Sequence, residues 1–184
     1  MVINKFYIYL FLSLFIILSV SPLVLATHNQ ATYEYLIGNQ FLEEFGPVVS
    51  MARNGDTIEL KGGGMFTLNP RTVTGNGTLI HRDVEGNIIG KGKWKAVKLL
   101  SFQKYGIGIP QGLPENYEGG RALIKVILEP ENFNKTFEGT LKVTCIIGNK
   151  IPKRAKEGIE LAVREAKINF REEISGGTLF IRNL

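Results

Sequence analysis

Ile88-Ile89-Gly90-Lys91-Gly92-Lys93-Trp94-Lys95-Ala96-Val97-Lys98-Leu99-Leu100-Ser101-Phe102 is the stretch on which the fold is decided. It is long, rich in β-formers, and alternates lysine with apolar or small residues. That is the period-two pattern of a strand with one wet face. Period-two counting puts Trp94, Ala96 and Lys98 on one face and Lys95, Val97 and Leu99 on the other. Upstream, Val73 to Asp83 reads as a second strand, and Glu85-Gly86-Asn87 as the turn joining the two. Gly75 and Gly77 on one strand and Gly90 and Gly92 on the other predict a sharply bent ribbon. Mid-strand glycines mark bulges, corners or close backbone approach.

Working outward, Asp56-Thr57-Ile58-Glu59-Leu60-Lys61 alternates as a strand after the Asn54-Gly55 turn pair. Gly62-Gly63-Gly64 interrupts the pattern and Met65 to Leu68 resumes it. Downstream, Arg121 to Leu128, Phe137 to Ile147 and Gly176 to Arg182 read as strands. Tyr105 to Gly120, with its many glycines and prolines, reads as the longest loop, a place where function often sits. Residues 155–170 are ambiguous: Ile159, Leu161 and Val163 alternate, whereas the Ala and Glu content suits a helix, and a strand followed by a loop is the reading taken. The expected fold is all-β: six to eight antiparallel strands in a small closed or nearly closed barrel, with a two-sheet sandwich as the alternative. The strand ending at Phe102 favours the barrel because its glycines allow it to bend around a closed sheet.

The chain opens Met1-Val2-Ile3-Asn4-Lys5, follows with an apolar run from Phe6 to Val20, and exits through Pro22 and Val24-Leu25-Ala26. A positive start, an apolar core and a small-residue exit make residues 1–26 a secretory signal peptide. An uncleaved anchor helix is the alternative, since about 20 apolar residues span a bilayer. Residues 27–54 then form an N-terminal arm and residues 55–184 a single β domain. The expected location is outside the cytoplasm, either secreted or anchored facing outward.

About 158 residues remain after residue 26, enough for one domain with its own core. Twenty-one glycines favour short strands and tight turns. The net charge of +5 includes Lys5 and suits solubility and weak attraction to anionic surfaces. No dense basic run carries interleaved aromatics, so nucleic acid is not expected as a partner. Cys145 is the sole cysteine and shares a strand face with Leu141 and Val143, which makes it an expected buried, inert thiol. The two histidines, His28 and His81, have no metal-ligand spacing around them, and no cofactor or metal is expected. A Cys145–His81 dyad lacks a third orienting group.

Asn76-Gly77-Thr78 and Asn134-Lys135-Thr136 fit the N-glycosylation acceptor pattern, and Asn134, in a polar turn, is the better site. Trp94, Phe102, Tyr105, Tyr117 and Arg121 are the candidate ligand-binding residues. Trp94 would wall a pocket in a barrel mouth, Tyr105 and Tyr117 would come from the long loop, and Arg121 would hold an anionic group. The bland alternatives are a core tryptophan and a structural ion pair.

The stretches Gly55-Asp56-Thr57-Ile58-Glu59, Gly90-Lys91-Gly92-Lys93-Trp94 and Gly177-Thr178-Leu179-Phe180-Ile181-Arg182 resemble those of a group of small exported β-rich proteins. The resemblance covers most of the chain after residue 26 and implies no activity, ligand or catalytic residue. The bent glycine-rich hairpins also resemble those of calycin-type and dirigent-type barrels, a likeness of fold that does not fix function. The leading functional expectation is a non-enzymatic exported protein that binds a small apolar or amphipathic molecule or a surface partner. A structural component of the cell envelope is second. An isomerase-type or cyclase-type enzyme using Glu118 or Tyr105 is third.

Overall fold

A computed structural model describes residues 31–183; residues 1–26, expected to be a signal segment, and His28 lie outside the described residues. The fold is all-β. Its ten strands form one antiparallel sheet: β1 (Thr32–Ile37), β2 (Val48–Ala52), β3 (Thr57–Leu68), β4 (Arg71–Arg82), β5 (Ile88–Ile107), β6 (Tyr117–Pro130), β7 (Phe137–Cys145), β8 (Gly158–Val163), β9 (Ile168–Ser175) and β10 (Thr178–Asn183). The pairings return on themselves. They run from β6 through β5, β4, β3, β2, β9, β8 and β7 back to β6, while β1 and β10 bridge β3 to the start of β6. Among the described residues, no helix is long and apolar enough to cross a membrane.

Several expectations are corrected. The strand count exceeds six to eight because residues 27–54 contribute β1 and β2 instead of a separate arm. β1 is hydrogen-bonded on both sides, to β10 and to β3, and Tyr33, Tyr35, Leu36 and Ile37 are all buried. β9 went unrecognised because its eight residues bury only Phe170, which leaves little periodicity to read. Residues 155–170 are strand on both sides of a turn at 164–167, with no helix. The long loop shrinks to residues 108–116, since β5 runs on to Ile107 and β6 begins at Tyr117.

β5 also departs from simple alternation. It pairs with β6 through three bulges, the first between Ala96 and Lys98, the second between Leu99 and Ser101. Each extra residue inverts the faces beyond it, because the side-chain period is two. Val97 and Leu100 therefore point outward, half exposed, while Leu99 turns inward and is buried. Lys98, which simple counting places beside Trp94 and Ala96, lies exposed.

β3 passes without a break through Gly62–Gly64 and changes partner there. Its first part pairs with β2 from Thr57 to Leu60, and its second with β1 from Gly62 to Thr67. On its other side the glycines face Gly75, Asn76 and Gly77 of β4. The core inside this arrangement joins aliphatics from all ten strands to an aromatic cluster, in which Phe102 lies 4.9 Å from both Tyr33 and Phe66 and 5.1 Å from Phe180, between ring centroids.

Candidate functional site

The candidate ligand-binding residues do not converge. Trp94 is 1% exposed, and its indole N–H donates to the Lys61 carbonyl at 3.3 Å, the arrangement of a core tryptophan. Phe102 belongs to the interior aromatic cluster. Tyr105 is buried, and its backbone carbonyl accepts from the Lys150 amide. Arg121 lies on the outer face, where it donates to the Gln103 side chain at 3.1 Å rather than to a carboxylate. Tyr117 alone of these lines the most apolar concavity described below.

That concavity is a groove of about 670 Å³ lined by Phe41, Leu42, Phe45, Leu113, Tyr117, Cys145, Ile147, Glu157, Thr178 and Leu179, among others. Local chemistry builds its rim. Asn39 accepts the Ile37 amide through its side chain, a single 3-10 segment at Gln40–Phe45 follows, and Gly46, at φ 77, ends it before Pro47. Leu42 of this segment is buried as its anchor, which leaves Phe41 and Phe45 46% and 58% exposed at the opening. Phe41 stacks on Tyr117 with ring centroids 5.9 Å apart and planes within 5°. Large exposed apolar side chains gathered around one concavity are the surface signature of a binding site.

The groove has a polar floor. Glu157 takes the Ile146 amide on Oε2 at 2.8 Å and the Thr178 amide on Oε1 at 2.7 Å. Thr178 Oγ1 lies 2.7 Å from Glu157 Oε1 and 2.7 Å from the Thr144 carbonyl. A hydroxyl has one proton, so it cannot donate to both. The Glu157 and Thr144 oxygens therefore compete for that one proton. Burial pushes the Glu157 carboxyl up, against the hydrogen bonds that favour its charge. Burial also pushes the neighbouring Cys145 thiol well up, and Glu157 adds to the shift, so the thiol stays neutral.

The sign of the Glu157 effect is testable. A carboxyl whose folded pKa is raised stabilises the fold at low pH, and that contribution is lost as pH rises through the folded value. The stability of Glu157→Gln relative to wild type, measured by urea titration at a series of pH values, is therefore expected to improve as pH rises above the ordinary carboxylate range. A difference independent of pH would show that Glu157 is not shifted upward.

Glu118 lies elsewhere. It is 1% exposed and is occupied by Lys104 Nζ at 2.7 Å and by the Tyr33 hydroxyl, which donates at 3.1 Å. Burial first, and then the Glu118 charge, pushes the Tyr33 phenol up to about 12. Neither Glu118 nor Tyr105 lines the groove. His81 is held by Asp56 at 3.1 Å and meets Phe170 edge-on, while Cys145 ends β7 beside the groove, so the two have separate surroundings. Asn134 is exposed in the β6–β7 connection, and Asn76 is exposed in the middle of β4 with strands paired on both sides.

Sequence reading missed Phe41, Phe45 and Glu157. The Phe41-Leu42-Glu43-Glu44-Phe45 run carried the one available signal, two aromatics flanking a turn before Gly-Pro. Nothing local marks Glu157, because the backbone amides that hold it come from β10 and from the segment after β7. The chain matches no protein-family model, no curated protein and no solved structure.

Proposed function

We propose that this is an exported, non-enzymatic β-barrel protein that carries a small amphipathic molecule in the groove beneath the Gln40–Phe45 segment. The self-returning order of strand pairings supports the barrel of calycin or dirigent kind, and the character of residues 1–26 supports export, with removal of the signal after Ala26 and with Asn134 as the favoured glycan site. The observation that carries the binding role is the groove itself: an apolar lining with two exposed phenylalanines at the mouth and a carboxyl–hydroxyl pair on the floor. The ligand this suits has an apolar body, which covers Phe41, Phe45 and Tyr117, and one uncharged polar group, which reaches Glu157 or Thr178. An interior pocket walled by Trp94 is not part of the proposal, since Trp94 is core.

Nile red, an uncharged amphipathic dye, tests this. The secreted chain is expected to bind it saturably with one site, and Phe41→Ser/Phe45→Ser to weaken binding by about tenfold or more, as expected for losing two aromatic contacts. Both rings stand at the surface, so the double variant keeps the fold. Absence of saturable binding, or equal binding by the double variant, would overturn the assignment of the groove.

One observation favours a second reading. A carboxyl raised by burial and facing an apolar groove is the arrangement of a general acid, which moves the isomerase-type or cyclase-type reading from Glu118 and Tyr105 to Glu157. A carrier returns its ligand unchanged, whereas an enzyme returns a rearranged product, and mass spectrometry with chromatography of the released molecule separates the two.

A further inference from the structure

At the other end of β9, roughly 23 Å from the apolar groove along eight residues of strand, lies a concavity of about 840 Å³ with a different character. It is formed by the end of β2, the β2–β3 turn, the β8–β9 turn and the start of β9, and Arg53, Lys167 and Arg171 line it. We infer that this concavity is a binding site for a small anion of the phosphate or sulfate type, free or as an ester, gripped by Arg53, Lys167 and Arg171.

Backbone irregularities place two of these cations, Arg171 and Lys167. Met51 pairs with Glu172 and Ala52 with Phe170, so Arg171 is the extra residue of a bulge. A bulge releases its residue from the ladder and re-aims the side chain. Lys167 adopts φ 52, an uncommon conformation for a side-chain-bearing residue, and closes the β8–β9 turn through its amide to Arg164. Arg171 is also held in place. With the Asn169 amide in its satisfied orientation, the Asn169 oxygen accepts from Arg171 Nε at 2.8 Å and Nη2 at 3.0 Å. That contact occupies one edge of the guanidinium and leaves the Nη1 edge for a ligand. A fork that is already oriented loses less freedom on binding.

Lys61, Arg82, Lys104, Lys125, Lys135 and Lys142 each pair with glutamate. Among the described residues, Arg53, Lys167 and Arg171 have no carboxylate partner, a state they share with other basic side chains of the surface such as Arg71, Lys93, Lys95 and Arg121; what sets them apart is that they line one concavity. Glu172 is the single carboxylate lining the concavity, so it keeps an excess of positive charge. The Asn54 side-chain oxygen accepts the Asp56 amide, which leaves its NH2 group as a further donor at the rim. Two guanidinium forks and an ammonium suit a tetrahedral oxyanion with two negative charges.

Inorganic phosphate and inorganic sulfate, titrated separately and followed by amide shifts in NMR, test the site. Saturable shifts are expected at Arg53, Lys167 and Arg171, with affinity falling about tenfold or more in Arg171→Ala for the loss of a charge-assisted fork. Glu172→Gln is expected to tighten binding, and Lys93→Ala/Lys95→Ala, on the exposed face of β5, to leave it unchanged. Preference for one anion over the other identifies the ester class. Absence of saturable shifts, or an equal loss in the Lys93/Lys95 variant, would overturn the site and leave only the diffuse attraction of a basic surface. The outcome is independent of the Nile red result, because the two concavities share no lining residue.

Discussion

Trp94→Ala is expected to cost about 3–5 kcal/mol, the range for emptying a buried aromatic position. Trp94 heads the fully buried side chains by size. Its indole fills the corner where β3, β4 and β5 approach, with Cζ2 2.9 Å from where a Gly62 Cβ would stand and Nε1 2.6 Å from where a Gly77 Cβ would stand. On the β3 and β4 side the neighbouring positions, Gly62 and Gly77, are glycines with no side chain to move into the space. The N–H bond to the Lys61 carbonyl is lost as well. Against a typical total of about 5–15 kcal/mol the loss is large. Urea unfolding followed by circular dichroism measures it, because the variant removes the chain's sole tryptophan and its fluorescence. Trp94→Phe should lose less, since a ring still fills part of the site. A loss under about 1 kcal/mol for the alanine variant, the size typical of surface changes, would show that Trp94 is not in the core.

Gly64→Ala is expected to be as damaging, for a different reason. A Cβ there would stand 2.1 Å from the Thr74 carbonyl oxygen and 2.4 Å from the Gly75 Cα, both backbone atoms of the paired strand. No rotamer change can relieve that contact. β3 and β4 would have to separate at the corner where β3 exchanges β2 for β1, and the Tyr35 and Leu36 pairings would go with them. The expected loss exceeds about 3 kcal/mol, in the range of severe overpacking, and a failure to fold is within it. Gly90→Ala is the comparison. The nearest atom to its Cβ is the His81 Cβ at 3.5 Å, an ordinary contact, and its backbone is not in the positive-φ region. That variant should be neutral or slightly stabilising, by up to about 1 kcal/mol, through the unfolded chain. Circular dichroism of both purified variants decides: if Gly64→Ala unfolds at the same urea concentration as wild type, the corner is not close-packed.

Gly64 and Gly90 look alike in the sequence, each a mid-strand glycine in a β-rich stretch. What separates them is the distance to another strand, which no local pattern records. The candidate site shows the same limit. Tyr117 was legible as an aromatic beside a glycine-rich loop, but its partner Phe41 comes from a segment far away in the chain, and Glu157 became a groove residue through amides of Ile146 and Thr178. Arg171 owes its direction to a bulge that depends on β2 as partner.

The features legible in the residue order are therefore local. The alternation from Thr57 to Leu60 and from Ala122 to Leu128 set strands with one buried face. Glu85-Gly86-Asn87 set the turn, with Gly86 at φ 85 and Asp83 accepting the Glu85 and Asn87 amides. Both follow from short-range physics: side-chain period, glycine's access to positive φ, and a carboxylate within reach of nearby N–H groups. Tertiary structure alone decided the rest. It placed residues 32–37 between β10 and β3, reversed Lys98 and Leu99 by a bulge, made Trp94 core, and assembled both concavities from distant segments. These depend on which strand edges meet, and that choice is made by packing across the whole chain rather than by any neighbouring residue.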